Sequence, residues 1–270
     1  MMIKLLAIDG PAILRRVYEA SAEPDGTEKA ELAVRHALSS FKKLLQLHQP
    51  SHVLLAFDPI PTESLANPPS ASNKASNWRQ ALHAPYQRSP LPPFLQAQLS
   101  WLFQQLHALG LHVVTIEQVE VMDVLATAVS RWLDEGRGEV IICSNHRLLH
   151  SLLARGAVGW DYFKQESHDA AWVQQKYGVQ ATQIPDLLAL VGDANEGVPG
   201  VSRIGMKTAA KLLTTYGDLD AVLAGAGILS DKIGQSLRAD RAGLEISRQL
   251  MQLKTDVVLG VTWKMLQWAH

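Results

Sequence analysis

Two apolar runs that each end at an acidic residue restrict the fold more than any other feature of this sequence. Residues 3–8 (IKLLAI) stop at Asp9, and residues 52–57 (HVLLAF) stop at Asp58. Short, mainly apolar runs are typical of strands that are buried on both faces of a parallel sheet. Between them, residues 28–47 carry apolar side chains at helical spacing, which predicts an amphipathic helix. The chain therefore begins as a strand–helix–strand unit.

The same alternation continues farther along the chain. Residues 94–109 and 123–135 predict helices, and residues 111–116 and 139–143 predict strands. Strands that alternate with helices indicate an α/β fold with a parallel sheet. After residue 183, short helical patterns separated by glycine-rich turns replace this alternation. We therefore expect a domain boundary near that residue.

The segment 59–93 is longer than an ordinary connection in a compact domain, and it is rich in proline. Cations and aromatic side chains are interspersed in it: Lys74, Trp78, Arg79, Tyr86 and Arg88. Such a mixture can hold a nucleic-acid single strand by charge and stacking. A solvated linker has a similar composition, so both interpretations remain open at this point.

Composition excludes several classes of protein. Lys and Arg number 25 against 26 Asp and Glu, so nucleic-acid binding would require a local basic patch. A single cysteine, Cys143, excludes an internal disulfide framework and fits a reducing compartment. Asp9 interrupts the apolar start, and no apolar run reaches the ~20 residues of a membrane span. We expect a globular cytoplasmic protein with no membrane partner.

Acidic residues are expected to meet at one edge of the predicted sheet. In an open α/β sheet, ligands bind at the carboxyl ends of the strands, where Asp9, Asp58, Glu120 and Asp123 should lie. Carboxylates held together repel one another unless they are protonated or bridged by a cation, so the cluster indicates bound Mg²⁺. A simpler alternative remains open: Asp123 alone would also suit the N-terminal dipole of a helix.

Residues 198–213 (VPGVSRIGMKTAAKLL) form the most specific stretch of the sequence. A glycine-containing turn opens there directly into a helix, which is typical of a helix-hairpin-helix. The backbone N–H groups of such a turn bind a phosphate without reading bases. Arg203, Lys207 and Lys211 add positive charge, and no acid interrupts them. This is the local basic patch that the overall charge does not supply.

The order of these features resembles the 5′-nuclease superfamily, the flap endonucleases and 5′→3′ exonucleases. The segments that carry the resemblance are Ile8-Asp9-Gly10, Leu14-Arg15-Arg16, Phe57-Asp58, Trp78-Arg79, Tyr86, Asp161-Tyr162-Phe163, Gly192-Asp193 and Val198-Pro199-Gly200-Val201. The resemblance implies a PIN-like α/β domain over residues 1–183 with a flexible arch at about 59–93. An all-α helix-hairpin-helix (H3TH) module over 184–260 and a tail over 261–270 follow it.

The resemblance also implies a set of functional residues. Divalent-metal ligands, for Mg²⁺ or Mn²⁺, would be Asp9, Asp58, Glu120, Asp123, Asp193 and Glu196. Potassium would be held by the backbone carbonyls of Leu190, Val191, Pro199, Val201 and Ile204. DNA would be contacted by Arg203, Ile204, Gly205, Met206, Lys207, Thr208 and Lys211. Catalytic roles would belong to Asp9, Asp58, Arg79 and Arg88. The implied protein is a monomer that hydrolyses phosphodiester bonds in 5′-flap or branched DNA.

Several positions depart from the family pattern. Met122 stands where the family has an aspartate, and a thioether is a poor Mg²⁺ ligand. His146 and Leu148 replace two further acids, Gln87 replaces a lysine, and Arg203 replaces a glycine. These departures leave a second function open, a DNA-junction binding protein of the same fold that cuts slowly or not at all. An RNA-directed nuclease is a third alternative.

Overall fold

A computed structural model describes residues 3–59, 77–225 and 232–268. The strands in these ranges are Lys4–Asp9 (β1), His52–Ala56 (β2), Val113–Val114 (β3), Glu139–Cys143 (β4), Val158–Asp161 (β5) and Glu166–His168 (β6). They form one sheet in the order β3-β2-β1-β4-β5-β6. The strands β1 to β5 are parallel and β6 is antiparallel to β5. The predicted α/β fold with a parallel sheet is confirmed, and the β5–β6 hairpin is an addition that the sequence pattern did not indicate.

Helices cover both faces of this sheet, and the described regular structure after β6 is helical. Those before β6 are Gly10–Ala20 (α1), Thr27–His48 (α2), Trp78–Leu82 (α3), Pro93–Ala97 (α4), Leu99–Ala108 (α5) and Val121–Asp134 (α6). Those after β6 are Ala170–Tyr177 (α7), Ile184–Val191 (α8), Met206–Tyr216 (α9), Leu219–Gly225 (α10), Lys232–Ala239 (α11) and Arg241–Leu250 (α12). Two 3-10 segments, Arg147–Arg155 and Ala181–Gln183, complete the described helical structure. None of the helices in the described ranges has the length and apolar character of a membrane span.

Alternate residues of the central strands pack into two separate hydrophobic layers, one on each face of the sheet. In β1, Leu5 belongs to the layer that contains Leu125 of α6, whereas Leu6 belongs to the layer that contains Phe41 of α2. This alternation follows from the period of two along a strand. The layer under α6 also contains Leu187 of α8 and other side chains of the helical module. The α/β part and the helical module therefore share one core, and the expected division near residue 183 stays a prediction.

Part of the predicted arch packs against the body of the protein. Residues 60–76, including Lys74, lie outside the described residues. Farther on, Tyr86 is completely buried, and the backbone N–H of Gln87 donates to the carbonyl of Glu196 over 3.0 Å. A guanidinium N–H of Arg15 donates to the carbonyl of Ser89 over 2.7 Å. Buried contacts and backbone hydrogen bonds thus join this stretch to the body of the protein, and the flexibility of the arch stays a prediction.

The predicted tail is also tied down. The N–H of Val53 donates to the carbonyl of Leu266, and the N–H of Trp268 donates to the carbonyl of Ser51. The indole of Trp263 donates to Oε2 of Glu135 over 2.9 Å. The described part of the tail, up to residue 268, thus lies along the start of β2.

Candidate active site and nucleic-acid interface

The two acids that end the apolar runs lie side by side at the carboxyl edge of the sheet. Asp9 is the last residue of β1, and its register partner Ala56 in the parallel strand β2 precedes Asp58 by two positions. The residue after Asp9 has to be glycine, because a Cβ on Gly10 would lie 2.2 Å from the buried ring of Phe57. The first two strands therefore place both carboxylates at one edge, as the sequence predicts.

Both carboxylates also serve as helix caps. Oδ1 of Asp9 accepts from the N–H of Ala12 in the first turn of α1, and Oδ2 accepts from the hydroxyl of Ser144 over 2.7 Å. Oδ1 of Asp58 accepts from the N–H of Val121 at the start of α6. Burial raises the pKa of Asp9 although Arg88 opposes that rise. The caps bring the start of α6, with its own two acids, to the same edge.

Arg79 forms hydrogen bonds with both acids at the start of α6, Glu120 and Asp123. Its side chain is completely buried, and Nη1 donates to Oε2 of Glu120 and to Oδ2 of Asp123, both over 2.7 Å. Nη2 donates to Oδ1 of Asp123 over 3.0 Å. The remaining donors reach backbone carbonyls, that of Leu250 from Nε and that of Gln252 from Nη2. Burial opposes the charge on Arg79, yet its pKa is raised because these carboxylates stabilise the cation.

This arrangement changes the role that the sequence predicts for Arg79. A guanidinium has five N–H donors, and every one of them is engaged inside the protein. The side chain has no exposed surface with which to contact DNA. The predicted catalytic contact of Arg79 is therefore corrected to a positioning role, in which it fixes the two carboxylates and joins them to the segment after α12.

Other donors share the oxygens of Asp123 and Glu120 with Arg79, and one donor takes the second oxygen of Glu120. Asp123 accepts from the indole of Trp78 and from the N–H of Lys254. Glu120 accepts from the amide of Asn77 and from the hydroxyl of Tyr86. Each oxygen of Asp123 thus already has two partners, which is the usual capacity of a carboxylate oxygen. As they are paired here, Asp123 lacks a free position for a divalent ion, whereas Oε1 of Glu120, with Asn77 as its one donor among the described residues, keeps one.

Arg88 lies on the open side of the same acids. Its Nη1 is 3.8 Å from Oδ1 of Asp58, and its side chain is 26% exposed. Burial opposes its charge, but its pKa is raised by Asp58, Glu120 and Asp9 in that order. Arg88 therefore stands among three of the acids that the sequence predicts as metal ligands.

The two acids of the helical module meet the same edge through a third arginine. Nη2 of Arg147 is 3.2 Å from Oδ2 of Asp193. Burial raises the pKa of the half-buried Glu196, while the nearby Arg88 opposes this shift. Oδ1 of Asp193 accepts from the N–H groups of Asn195 and Glu196 and so caps its own turn. Five of the six predicted acids are thus paired with arginines or act as caps, and Glu196 lies near Arg88.

A divalent ion does not fit this arrangement as it stands. Among the described residues, no group of three or more acidic, histidine or cysteine side chains is arranged to hold a metal ion. Met122, which replaces an acid of the family pattern, is 2% exposed and belongs to the hydrophobic core. The pKa of His146 is lowered well below its usual value by burial and by Arg88, so the ring is neutral.

The predicted DNA-binding turn has the geometry of a phosphate site. The helix α9 starts after Gly205, and no side chain caps its first N–H groups. Arg203, Lys207 and Lys211 are exposed, whereas Ile204 is buried beneath them. Arg203 has a φ of 66°, the left-handed region that glycine occupies at lower cost. The exposed cations and the free N–H groups therefore lie together at one surface.

The backbone around the predicted potassium site is brought together by close contact of two turns. The N–H of Val201 donates to the carbonyl of Leu190 over 2.9 Å, and the N–H of Ile204 donates to the carbonyl of Val201. A Cβ on Gly200 would lie 2.5 Å from the carbonyl oxygen of Val191, so the turn requires glycine. Each carbonyl retains a second lone pair for a cation. Occupation by potassium stays a prediction.

Two family models together match residues 4–270. The N-terminal resolvase-like domain of 5′-3′ exonucleases matches residues 4–178, and the C-terminal SAM fold of 5′-3′ exonucleases matches residues 179–270. The chain belongs to the 5′-3′ exonuclease family. Relatives of this chain include the flap endonuclease Xni of Shewanella baltica, which is 34% identical over 97% of this chain and 94% of its own. The Xni of Shewanella putrefaciens is 33% identical over the same shares.

Solved structures of similar shape agree with this family. The zinc-bound 5′-exonuclease of bacteriophage T5 has a TM-score of 0.72 at 17% identity and covers 93% of this chain and 90% of its own. A T5 flap endonuclease in a pseudo-enzyme–product complex with DNA and metal ions has a TM-score of 0.69 at 17% identity, with 92% and 88% covered. At these identities the similarity establishes the fold of this exonuclease-family chain.

Some members of the site escape sequence reasoning. Asn77 and the backbone of Gln252 and Lys254 contact the buried acid–arginine group, and nothing in their local sequence marks them. Arg147 is different, because it lies in the segment where the family pattern has acids. A cation in a segment where the family pattern has acids is a signal that could have pointed to the ion pair of Arg147 with Asp193.

Proposed function

We propose that this protein is a structure-specific nuclease that binds DNA carrying a 5′ flap or branch and hydrolyses a phosphodiester bond in it. The observation that carries the proposal is the meeting of Asp9, Asp58 and Glu120 at one edge of the sheet, in a chain that matches relatives named flap endonuclease along 97% of its length. Polar and charged side chains gathered at that edge are typical of a ligand site in an open α/β sheet.

The helix-hairpin-helix is the part that binds duplex. The uncapped N–H groups at the start of α9 and the exposed Arg203, Lys207 and Lys211 suit phosphate oxygens, which carry no sequence information. Such contacts fit a protein that recognises the shape of a junction. Binding of potassium by the carbonyls beside this turn is part of the proposal, as is a monomeric state in the cytoplasm.

A divalent cation, Mg²⁺ or Mn²⁺, is the proposed cofactor. When bound, such an ion polarises a phosphate and lowers the pKa of a water molecule. Arg79 and its neighbours occupy both oxygens of Asp123 and one oxygen of Glu120, so Asp9, Asp58, Asp193 and Glu196 are the acids with more oxygens to offer. In the described arrangement Asp9, Asp58 and Asp193 are themselves capped or paired, so the chain's own arginines supply much of the positive charge at the site.

The test is cleavage of an end-labelled 5′-flap DNA with Mg²⁺ or Mn²⁺. The control is a variant with Asp9→Asn and Asp58→Asn, which keeps the shape of both side chains and removes their charge. We expect metal-dependent cutting that the variant lacks, with equal binding of flap DNA by both proteins. Cutting by the variant at the wild-type rate would show a contaminating nuclease and would remove the support for this proposal.

A second function is favoured by the pairing of the acids with arginines. A protein whose carboxylates are already neutralised could hold a junction without cutting it. Tight flap binding with no product in either metal would establish this alternative. A competing RNA duplex that displaces the flap as well as DNA does would point instead to an RNA substrate.

A further inference from the structure

We propose that Arg88 is a resident cation of the acid edge, and that a divalent ion gains a site beside Asp9 and Asp58 only when the Arg88 side chain leaves. The biological meaning of this inference rests on the proposed function, but the experiment that tests it measures metal binding and needs no nuclease activity. It concerns one residue of this chain, and it follows from how that residue is held.

The backbone on either side of Arg88 is fixed, so its side chain has a defined direction. The N–H of Gln87 donates to the carbonyl of Glu196, and the carbonyl of Ser89 accepts from Arg15. Just before it, Pro85 packs so closely that a Cβ on Gly197 would lie 2.1 Å from its carbonyl oxygen. These contacts hold the segment against both parts of the molecule, and the guanidinium is directed towards the acids.

The acids attract Arg88 electrostatically, but they accept no hydrogen bond from its Nη1. Nη1 is enclosed and has no hydrogen-bond partner among the described residues, and its approach to Asp58 of 3.8 Å is too long for a hydrogen bond. Arg79 differs in both respects, because all five of its N–H donors are hydrogen-bonded and its side chain is completely buried. Because Arg88 is 26% exposed and lacks bonds that would have to break, it is the exchangeable cation of the two.

A divalent ion and Arg88 would compete for the same negative charge. A nearby cation changes the proton affinity of a carboxylate by about one to three pKa units, so its effect on a competing metal ion is on the order of tenfold or more. Removing the guanidinium should therefore strengthen metal binding. A residue that only contacts the DNA phosphate would leave the metal affinity of the free protein unchanged.

The experiment measures Mn²⁺ binding to the full chain without DNA, by electron paramagnetic resonance of the free ion. The variants are Arg88→Gln, which removes the charge, and Arg88→Lys, which keeps it. The matched control is Arg155→Gln, which removes the same charge from an exposed ion pair with Asp134. Circular dichroism confirms that each variant is folded.

We expect Arg88→Gln to bind Mn²⁺ about tenfold or more tightly than the wild type, while the Arg88→Lys and Arg155→Gln variants stay within about twofold of it. Equal affinity of the Arg88→Gln and Arg155→Gln variants would overturn the inference, and so would an absence of Mn²⁺ binding in all four proteins. Flap cleavage by the wild type decides the proposed function separately. A chain that cuts flaps but gains no metal affinity on loss of Arg88 refutes only the inference, and one that gains affinity but never cuts refutes only the proposed function.

Discussion

Replacing Arg79 by glutamine tests the positioning role of the buried guanidinium. The substitution removes a cation that pairs with Glu120 and Asp123 at 2.7 Å, where the exposed fractions of the three side chains are 0%, 5% and 0%. Both carboxylates would remain buried, and the carbonyls of Leu250 and Gln252 would lose their donor. The loss is therefore that of a cation from a buried network, which differs from the loss of a surface ion pair.

The expected cost is large. Removing one partner of a buried ion pair costs about 3–5 kcal/mol, because it leaves uncompensated charge in the interior. For a chain of this size, 1 kcal/mol corresponds to roughly 2–4 °C in the midpoint of thermal unfolding, so we expect a decrease of roughly 6–20 °C. The control Arg155→Gln breaks an exposed pair with Asp134 and should cost less than about 1 kcal/mol.

The pH dependence has a definite sign. Burial already raises the pKa of Glu120, and Arg79 is the main group that opposes the rise. Without Arg79 the pKa moves higher, so the folded variant takes up a proton more readily than the unfolded chain as the pH falls. Protonation removes the uncompensated charge, and the difference in the free energy of unfolding between wild type and variant therefore narrows from neutral towards mildly acidic pH.

Urea unfolding at several pH values, followed by circular dichroism, measures this difference. Flap binding at a temperature below the unfolding transition should change little, because the basic turn at the start of α9 does not use Arg79. A variant as stable as the wild type that binds flap DNA weakly would refute the reasoning, since that result is expected of a residue in direct contact with DNA. A stability deficit that is the same at every pH would refute the part that assigns the cost to buried carboxylates.

Three predictions concern the DNA-binding turn. Lys207→Ala should weaken binding to duplexes of any sequence by about fivefold and lower the salt slope by about one, unlike Lys42→Ala on α2, and a base-selective loss in a salt titration would contradict a phosphate contact. Arg203→Gly should raise the free energy of unfolding in urea by up to about 1 kcal/mol while weakening DNA binding, because it relieves a φ of 66°, and an equal gain in Arg203→Ala would contradict this cause. Exchanging Na⁺ for K⁺ should tighten flap binding if the carbonyls beside the turn hold potassium, and equal dissociation constants at matched ionic strength would count against that site.

The fold was predictable where local pattern and global packing agree. The apolar runs that end at Asp9 and Asp58 are buried strands, and α2 lies where the helical spacing predicts it. The predicted helix over 94–109 is divided at Gln98 into α4 and α5. The strand Glu166–His168 was not predictable in this way, because its three polar residues lack the apolar character of a buried strand. This strand joins the sheet because it pairs with β5 in a hairpin, so its conformation depends on tertiary contacts that local sequence does not specify.

The candidate site was predictable only in part for a similar reason. Asp9 and Asp58 follow from strand order, and the exposed cations of the basic turn follow from a short local pattern. The partners of Arg79 lie 41 and 44 residues away in sequence, and the carbonyls that it reaches lie more than 170 residues away. An arginine beside a tryptophan in a proline-rich segment has the same local signature whether it is buried or faces a nucleic acid, so composition could not choose between the two.

The acids and the exposed cations of this chain form two separate groups of residues, the acid edge and the basic turn. At the acid edge, Arg79, Arg88 and Arg147 pair with carboxylates that in a metal-dependent nuclease would be available to ions, and Met122 withdraws one anionic position altogether. At the basic turn the exposed cations remain free to meet phosphates. A metal ion that binds the protein would therefore act at the acid edge, whereas the turn would meet phosphates through other residues. Since the two surfaces use different residues, substitutions at the acid edge should alter the metal requirement of cleavage while the dissociation constant for flap DNA stays close to that of the wild type.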